Sequence, residues 1–294
     1  MSAAILMYHR VAELSPDTFG LCTPPEIFRQ HLEHVATSYT PMALDELGRR
    51  AAAGRLPHRA VAITLDDGYL DNLAAAHLLR EFWLPATFFI NEPSDQPREF
   101  WWDVLERALL GPHAVPSAFR LDAWLPAVTA ADRLAAFRAI HARALSLPAA
   151  ERDALVERVR AWSGISPQPR DSHRALTTAE VRGLASRPDC AIGAHTTHHL
   201  MLPAQPPAIQ RSEIAANKAE LERVLARPVT TLSYPFGAHD AGVVETARAL
   251  GFTAAVTVED RLAVPGDDPL RLPRLEVKPE PGALFAARLD ALFG

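Results

Sequence analysis

Cysteine is scarce in this sequence. Only two cysteines occur among 294 residues, Cys22 and Cys190, and they lie far apart in unrelated contexts. Such a low number argues against a disulfide framework and against a zinc site built from cysteines. We therefore expect both thiols to be small, buried hydrophobic side chains.

Long apolar runs and an excess of basic residues are also lacking. No window reaches the roughly 18 consecutive apolar residues of a membrane-spanning helix. The N-terminal residues MSAAILMYHRV have neither the charged segment nor the apolar length of a signal peptide. The formal net charge is −5, so nothing indicates binding to nucleic acid or to an anionic membrane surface. We expect a cytoplasmic protein without stable membrane insertion.

Apolar runs of strand length alternate with segments of helical periodicity. This alternation predicts a parallel sheet covered by helices, as a barrel or as a doubly wound sheet, in a single domain over residues 1–294. In both folds the chemistry gathers where strands end. The predicted strands are 3–8, 60–65, 85–90, 190–194, 229–233 and 252–256.

The alternation pauses over residues 97–165. This segment is rich in Ala, Leu, Arg and Glu, with apolar residues at intervals of three and four positions. That spacing is typical of amphipathic helices. We predict a helical insertion here.

Two adjacent carboxylates follow the predicted strand 60–65. The stretch VAITLDDGY places Asp66 and Asp67 directly after an apolar run. Like charges this close destabilise one another unless a partner compensates them. A cation is the obvious partner, although many such pairs are solvated loops or helix caps.

Histidines follow the predicted strand 190–194 in the stretch GAHTTHHL. His195 and His199 are four residues apart, so one turn of helix would bring both rings to one metal ion. His198 is a competing ligand. Two imidazoles and one carboxylate make a three-ligand site of the catalytic type, and we pair the histidines with one of the two aspartates. Zinc is favoured, and cobalt, nickel or iron would also fit.

A third cluster, LSYPFG at 232–237, again follows a predicted strand. Pro235 and Gly237 predict a tight turn after Tyr234 that presents a backbone N–H outward. Such an N–H, directed at a developing oxyanion, would contribute about 3–4 kcal/mol to catalysis. An ordinary strand-exit turn is the alternative.

Taken in order, these clusters resemble the motifs of the polysaccharide deacetylases of the NodB-homology type, carbohydrate esterase family 4. The matching segments are TLDDG at 64–68, HTTHH at 195–199 and SYPFG at 233–237, and LMYHRV at 6–11 resembles the family's opening strand. The resemblance covers about residues 3–95 and 175–280. It implies an α/β fold, a distorted (β/α)7-type barrel, with a metal at the carboxyl ends of its strands.

The resemblance also implies roles for individual residues. Asp67 would bind one divalent metal together with His195 and His199. Asp66 would be the general base that takes a proton from the attacking water. The metal and the Phe236 N–H would hold the oxyanion in the turn that Tyr234 and Pro235 form.

The sequence departs from the family pattern at two positions. No histidine follows His239, so the family's late histidine acid is missing. We take His9 as the general acid and His239 as the second choice. Ser233 stands where the family has a base-orienting arginine, and Arg274 is a plausible replacement, although it could equally be a surface residue.

Two further residues are candidates for substrate contact. Trp101, in the stretch FWWD, has an aromatic face that suits a sugar ring, or it anchors the insertion. Asn91 follows the third predicted strand and could reach the substrate.

The leading hypothesis is a metal-dependent hydrolase that removes an N-acetyl group from an acetamido sugar of a cytoplasmic glycoconjugate or polysaccharide precursor. A deformylase or another linear-amide hydrolase of the same fold is the alternative in chemistry. A degenerate carbohydrate-binding module is the alternative in class. The sequence does not determine the oligomeric state.

Overall fold

The computed structural model describes residues 1–294 and divides the chain into two units. The first unit contains residues 1–95 and 176–294, and the second contains residues 96–175. The second unit corresponds to the predicted insertion, but it extends beyond the expected 97–165 by one residue at its start and ten at its end.

The first unit contains most of the strands and seven of the helices. Its strands are β1 (Ala3–Tyr8), β2 (Thr40–Pro41), β3 (Ala60–Leu65), β4 (Ala86–Ile90), β7 (Cys190–Ala194), β8 (Thr231–Ser233), β9 (Ala254–Val256) and β10 (Leu275–Glu276). Its helices are α1 (Pro25–Ser38), α2 (Leu44–Ala52), α3 (Asn72–Glu81), α7 (Thr178–Ala185), α8 (Pro207–Leu225), α9 (Ala241–Ala249) and α10 (Gly282–Phe293).

The strands form one curved parallel sheet in the order β10-β1-β3-β4-β7-β8-β9, with β2 paired to the start of β3. The segment around β10 joins the two ends of this sheet. Leu272 bridges Val256 of β9 in parallel, and Leu275 pairs with Leu6 of β1. The sheet is therefore a distorted barrel in which all carboxyl ends of the strands lie on the same side.

Strand β1 shows why the strands read as continuous apolar runs. All six of its residues are buried, because a parallel barrel is covered on both faces. Ala3 and Ile5 belong to the apolar cluster that includes α2, whereas Ala4 and Leu6 belong to the larger cluster that includes α1, α3 and α10.

The second unit is mainly helical. It contains α4 (Trp101–Leu110), α5 (Ala130–Leu145), α6 (Ala149–Ser163) and a two-stranded hairpin of β5 (Ala118–Arg120) and β6 (Trp124–Pro126). The hairpin was not predicted, since its strands of three residues are too short for a periodicity to be visible. No helix in either unit has the length and apolar character needed to cross a bilayer.

Gly193 lies in β7 where the sheet has no room for a side chain. A Cβ at this position would lie 2.4 Å from Cδ1 of Phe89 and 2.6 Å from Oγ1 of Thr231. Such distances are far below ordinary contact distances, so glycine is needed here for close packing rather than for backbone conformation.

We predict that Gly193→Ala lowers the free energy of unfolding by about 1–3 kcal/mol, the usual effect of overpacking. Chemical denaturation would measure it. Gly183→Ala is the matched control, because Gly183 lies inside α7 with no atom near its Cβ position. That change should stabilise the protein by up to about 1 kcal/mol. Equal stability of Gly193→Ala and the parent would contradict this account.

Candidate metal centre

The three sequence motifs meet at one edge of the barrel. Residues 66–68 follow β3, residues 195–199 follow β7, and residues 234–237 follow β8. These strands lie close together in the sheet, with only β4 between β3 and β7. Because the strands are parallel, the three loops lie on the same side of the barrel.

Backbone strain is concentrated at these loops. Seven non-glycine residues have a positive φ, and four of them lie in the motifs: Asp67 at 72°, Thr196 at 63°, His199 at 53° and Phe236 at 59°. A left-handed conformation costs a residue with a Cβ about 1–2 kcal/mol. Such strain persists only where the surrounding structure enforces it, and it is typical of functional sites.

Asp67, His195 and His199 converge on one point. Nε2 of His195 and Nε2 of His199 each lie 3.4 Å from Oδ1 of Asp67. All three side chains are buried. Oδ1 of Asp67 has no hydrogen-bond partner, and an unsatisfied buried carboxylate oxygen is costly.

A hydrogen bond fixes one ring nitrogen of His195 and leaves the other, Nε2, able to bind a metal. Its Nδ1 donates to the carbonyl oxygen of Ser233 at 2.7 Å. In the neutral ring Nε2 then carries a lone pair, and that lone pair faces Oδ1 of Asp67. A metal-binding histidine typically donates its other N–H to a carbonyl in this way.

The spacing of these three donors fits a divalent metal. Ligand bonds of about 2.1 Å in tetrahedral geometry place neighbouring donor atoms about 3.4 Å apart. The two separations from Oδ1 of Asp67 match this value. The unpartnered oxygen and the donor spacing together indicate a site for a cation.

Asp66 is held by a different partner. Nη1 and Nη2 of Arg274 donate to Oδ1 and Oδ2 of Asp66, each at 2.7 Å. Arg274 also donates to the hydroxyl of Ser233 at 3.0 Å, and that hydroxyl donates to Oδ2 of Asp66 at 3.1 Å. The serine at the family's arginine position therefore belongs to the same network.

The charge of Asp66 follows from this pairing. Burial acts to raise the pKa of the Asp66 carboxyl, but the Arg274 guanidinium and the neighbouring His195 outweigh it and hold that pKa well below its usual range. Asp66 is therefore ionised, and Arg274 is a fully buried residue rather than a surface arginine.

The third motif forms a tight turn beside His199. Tyr234 is buried, and its hydroxyl donates to Leu270 O at 3.0 Å. Tyr234 and Pro235 thus form the buried part of the turn. The Phe236 ring is partly exposed and packs edge-on against the His199 ring, with centroids 4.5 Å apart.

The two candidate acids differ in their surroundings. His9 is half-buried at the end of β1, and its carbonyl accepts from Asn72 Nδ2 at 2.9 Å. His239 has both ring nitrogens engaged, since Nδ1 donates to Gly237 O at 2.8 Å and Nε2 accepts from Arg271 at 3.3 Å. His239 is thus held by two partners, and His9 stays the predicted acid.

The two residues predicted to contact substrate both make contacts within the protein. Asn91 is buried, and its Nδ2 donates to the carbonyls of His195 and Thr196, so it supports the histidine loop. Trp101 is buried within the second unit and stacks on His141 with centroids 5.0 Å apart. Its ring face is thus used for packing inside the second unit.

Glu213 and Asn217 on α8 were missed by the sequence analysis. Both are buried and both hydrogen-bond the histidine loop. The only available signal was the interruption of the apolar face of α8, where Glu213 and Asn217 flank the buried Ile214. Such buried polar positions cannot be assigned to a loop more than a dozen residues away without the fold.

The second unit carries another group of ionisable side chains. Asp103, Glu106 and His173 are buried close together, and Nε2 of His173 lies 4.0 Å from Oε1 of Glu106. This separation is wider than in the first site. All three have further interactions within the protein, which is the usual arrangement of a buried polar cluster.

Comparisons with known proteins show that parts of this sequence are similar to polysaccharide deacetylases. The family described as polysaccharide deacetylase matches residues 162–255, a segment that contains the histidine loop and the third motif but not Asp66 and Asp67. A curated protein of Bacillus subtilis (strain 168), YxkH, which is provisionally named a polysaccharide deacetylase, is 28% identical over 118 residues. That match spans 40% of this chain and 42% of the length of YxkH.

Solved structures extend the likeness of fold to nearly the whole chain. The deacetylase PplD of Streptococcus pyogenes, in complex with acetate, aligns with a TM-score of 0.65 and 18% identity over 98% of each chain. IcaB of Ammonifex degensii aligns with a TM-score of 0.63 and 18% identity over 98% of this chain and 97% of its own. These neighbours confirm the predicted distorted α/β barrel. The resemblance of this chain to the polysaccharide deacetylases is thereby confirmed, by the family match over residues 162–255 and by the fold over almost its full length.

Proposed function

We propose that this protein is a metal-dependent hydrolase that removes the N-acetyl group from an acetamido sugar. The observation that carries the proposal is the unpartnered, buried Oδ1 of Asp67 facing two imidazole nitrogens at 3.4 Å, directly beside an ionised Asp66. Measuring acetate released from acetylated sugars, with and without chelator, tests it. A parallel screen of N-formyl sugars separates deacetylation from deformylation.

Asp67, His195 and His199 would hold the metal. Zinc suits this ligand set and donor spacing, and cobalt, nickel or iron can use the same ligands. A divalent metal at such a site lowers the pKa of water towards about 7 and polarises an acyl carbonyl. The Ser233 carbonyl fixes the His195 ring so that its Nε2 is available to the metal.

Asp66 is the proposed general base. Its carboxylate takes the proton of the water that attacks the acetyl carbon, and the C–N bond then breaks as acetate and an amine form. Arg274 keeps Asp66 ionised and fixes both of its oxygens. A base that is already ionised and oriented needs no reorganisation during the reaction.

His9 and Phe236 supply the remaining proposed functions. His9 donates a proton to the leaving amine nitrogen, which is a poor leaving group without it. The Phe236 N–H stabilises the negative charge that develops on the acetyl oxygen. The left-handed conformation of Phe236 turns the backbone away from the direction of β8. On either side of it, the Tyr234 N–H donates to Val256 O and the Gly237 N–H donates to Tyr234 O.

The first prediction separates metal binding from proton transfer. Asp67→Asn should no longer bind one divalent metal ion per chain, because the site loses its only anionic ligand. Asp66→Asn should retain the metal while kcat falls by about 10²–10⁴-fold, the usual contribution of a general base. Metal analysis of the purified variants and an acetate assay provide the two measurements. Full turnover by Asp66→Asn would remove Asp66 from the role of base.

The second prediction concerns the buried Asp66–Arg274 pair. Arg274→Met leaves the Asp66 carboxylate buried without its counter-charge, which should cost about 3–5 kcal/mol of stability. The double variant Asp66→Asn with Arg274→Met should recover much of that loss, because no charge then remains unpaired. Urea denaturation in the presence of chelator measures these values without a metal contribution. Additive losses in the double variant would show that the pairing does not explain them.

The third prediction tests the general acid. His9→Ala should lower kcat by about 10²-fold or more while the metal affinity stays the same, since His9 is not a ligand. His239→Ala is the matched control and should retain most of the activity, because both nitrogens of His239 are engaged with Gly237 and Arg271. The opposite pattern of losses would transfer the acid role to His239.

A further inference from the structure

The histidine loop, residues 195–199, needs external support. It carries two of the three candidate ligands and two non-glycine residues in left-handed conformation, Thr196 and His199. Left alone, such a loop would relax towards conformations in which the two imidazoles no longer converge. Its local geometry is therefore set by the contacts that hold its backbone.

Glu213 of α8 supplies one set of contacts. Its carboxylate accepts from the backbone N–H of His198 at 2.8 Å and from Nδ1 of His198 at 2.6 Å. Its backbone carbonyl accepts from the N–H of Thr197 at 3.2 Å. Glu213 is buried, and a buried carboxylate is costly unless it is hydrogen-bonded in this way.

Asn217, one turn further along α8, supplies the second set. Its Oδ1 accepts from the N–H of His195 at 2.9 Å, and its Nδ2 donates to Ile90 O at 3.3 Å. Asn217 is fully buried. Its amide thus connects the start of the histidine loop to the end of β4.

The spacing of Glu213 and Asn217 on α8 lets their side chains hydrogen-bond both ends of the histidine loop. Residues four apart on a helix lie on the same face, so one face of α8 reaches both His195 and His198. The bond from Nδ1 of His198 to Glu213 also turns that ring to the helix. This orientation accounts for the absence of His198 from the group formed by Asp67, His195 and His199.

We propose that Glu213 and Asn217 are positioning residues that set the metal affinity of the histidine loop, an inference that rests on the metal site of the proposed function. They do not touch the metal or the substrate. They hold the strained loop in the one backbone conformation in which the Nε2 atoms of His195 and His199 face the same point.

Titration of the metal-free protein with Zn²⁺ by calorimetry tests this proposal. Glu213→Ala and Asn217→Ala should each raise the Kd for Zn²⁺ by about 10–100-fold, as is usual for partners that orient metal ligands. Glu213→Gln keeps an acceptor for the His198 N–H but loses the one for Nδ1 of His198, so it should raise the Kd by a smaller but measurable factor of about two to ten. Alanine favours helix, so neither change to alanine weakens α8 through helix propensity.

The matched control is Glu220→Gln. Glu220 lies on the same helix, is partly exposed and pairs with Arg223 rather than with the loop, so the Kd should stay at the parent value. The visible absorption of the Co²⁺-loaded proteins provides a second readout. It should change in Glu213→Ala and Asn217→Ala, because the donor geometry around the ion changes, but not in the control.

A purely structural role would give another result. Zn²⁺ affinity equal to the parent in Glu213→Ala and Asn217→Ala, together with a lower melting temperature, would overturn the proposal. If the alanine variants do not fold, an unchanged Zn²⁺ affinity and Co²⁺ spectrum in Glu213→Gln would overturn it for Glu213.

The titration requires no substrate, so it can fail independently of the proposed function. Weaker Zn²⁺ binding in the variants, with no acetate released from any acetamido sugar by the parent, would support the positioning role and contradict the deacetylase. Deacetylation by the parent, with unchanged Zn²⁺ affinity in the variants, would contradict the positioning role alone.

Discussion

The site depends on two buried negative charges that are adjacent in the chain. Asp66 and Asp67 both lie at the end of β3 with almost no exposure to solvent. Burying one unpaired carboxylate costs several kcal/mol, and burying two side by side costs more because they repel each other. The fold gives the two carboxylates different surroundings. The left-handed conformation of Asp67 directs its side chain to the histidines, whereas Asp66 contacts Arg274. Arg274 neutralises the first charge, whereas Oδ1 of Asp67 has no hydrogen-bond partner. A cation at Asp67 would complete the compensation.

The same arrangement explains why strain and polar burial collect in one part of the barrel. The motif loops contain four of the seven non-glycine residues with positive φ. Around them lie buried polar side chains that would be unfavourable elsewhere, among them Asn91, Glu213 and Asn217. Each donates to or accepts from the histidine loop. Stability lost to strain and polar burial is thus offset by hydrogen bonds that also orient the candidate ligands.

Several residues show how far sequence reasoning could go. The apolar runs located the strands of the barrel, because strands buried on both faces are continuously apolar. The order of the three motifs, each after such a strand, brought Asp67, His195 and His199 into one prediction. Trp101 was ambiguous, because an aromatic residue at the start of a helix can face a ligand or a core with the same local sequence. The cytoplasmic location stays a prediction from the sequence.

By itself, the sequence determined the alternation of strands and helices, the extra helical segment and the residue types that can bind a metal, since periodicity and motif order are properties of neighbouring positions. Only the tertiary structure decided which side chains meet across long separations. Arg274 reaches Asp66 over 208 positions of the chain, and Asn217 reaches His195 from a separate helix. Such partners are chosen by the closure of the barrel and by the packing of α8. No local pattern predicts these partners, because the residues next to an arginine in the sequence do not determine whether it is buried or lies on the surface.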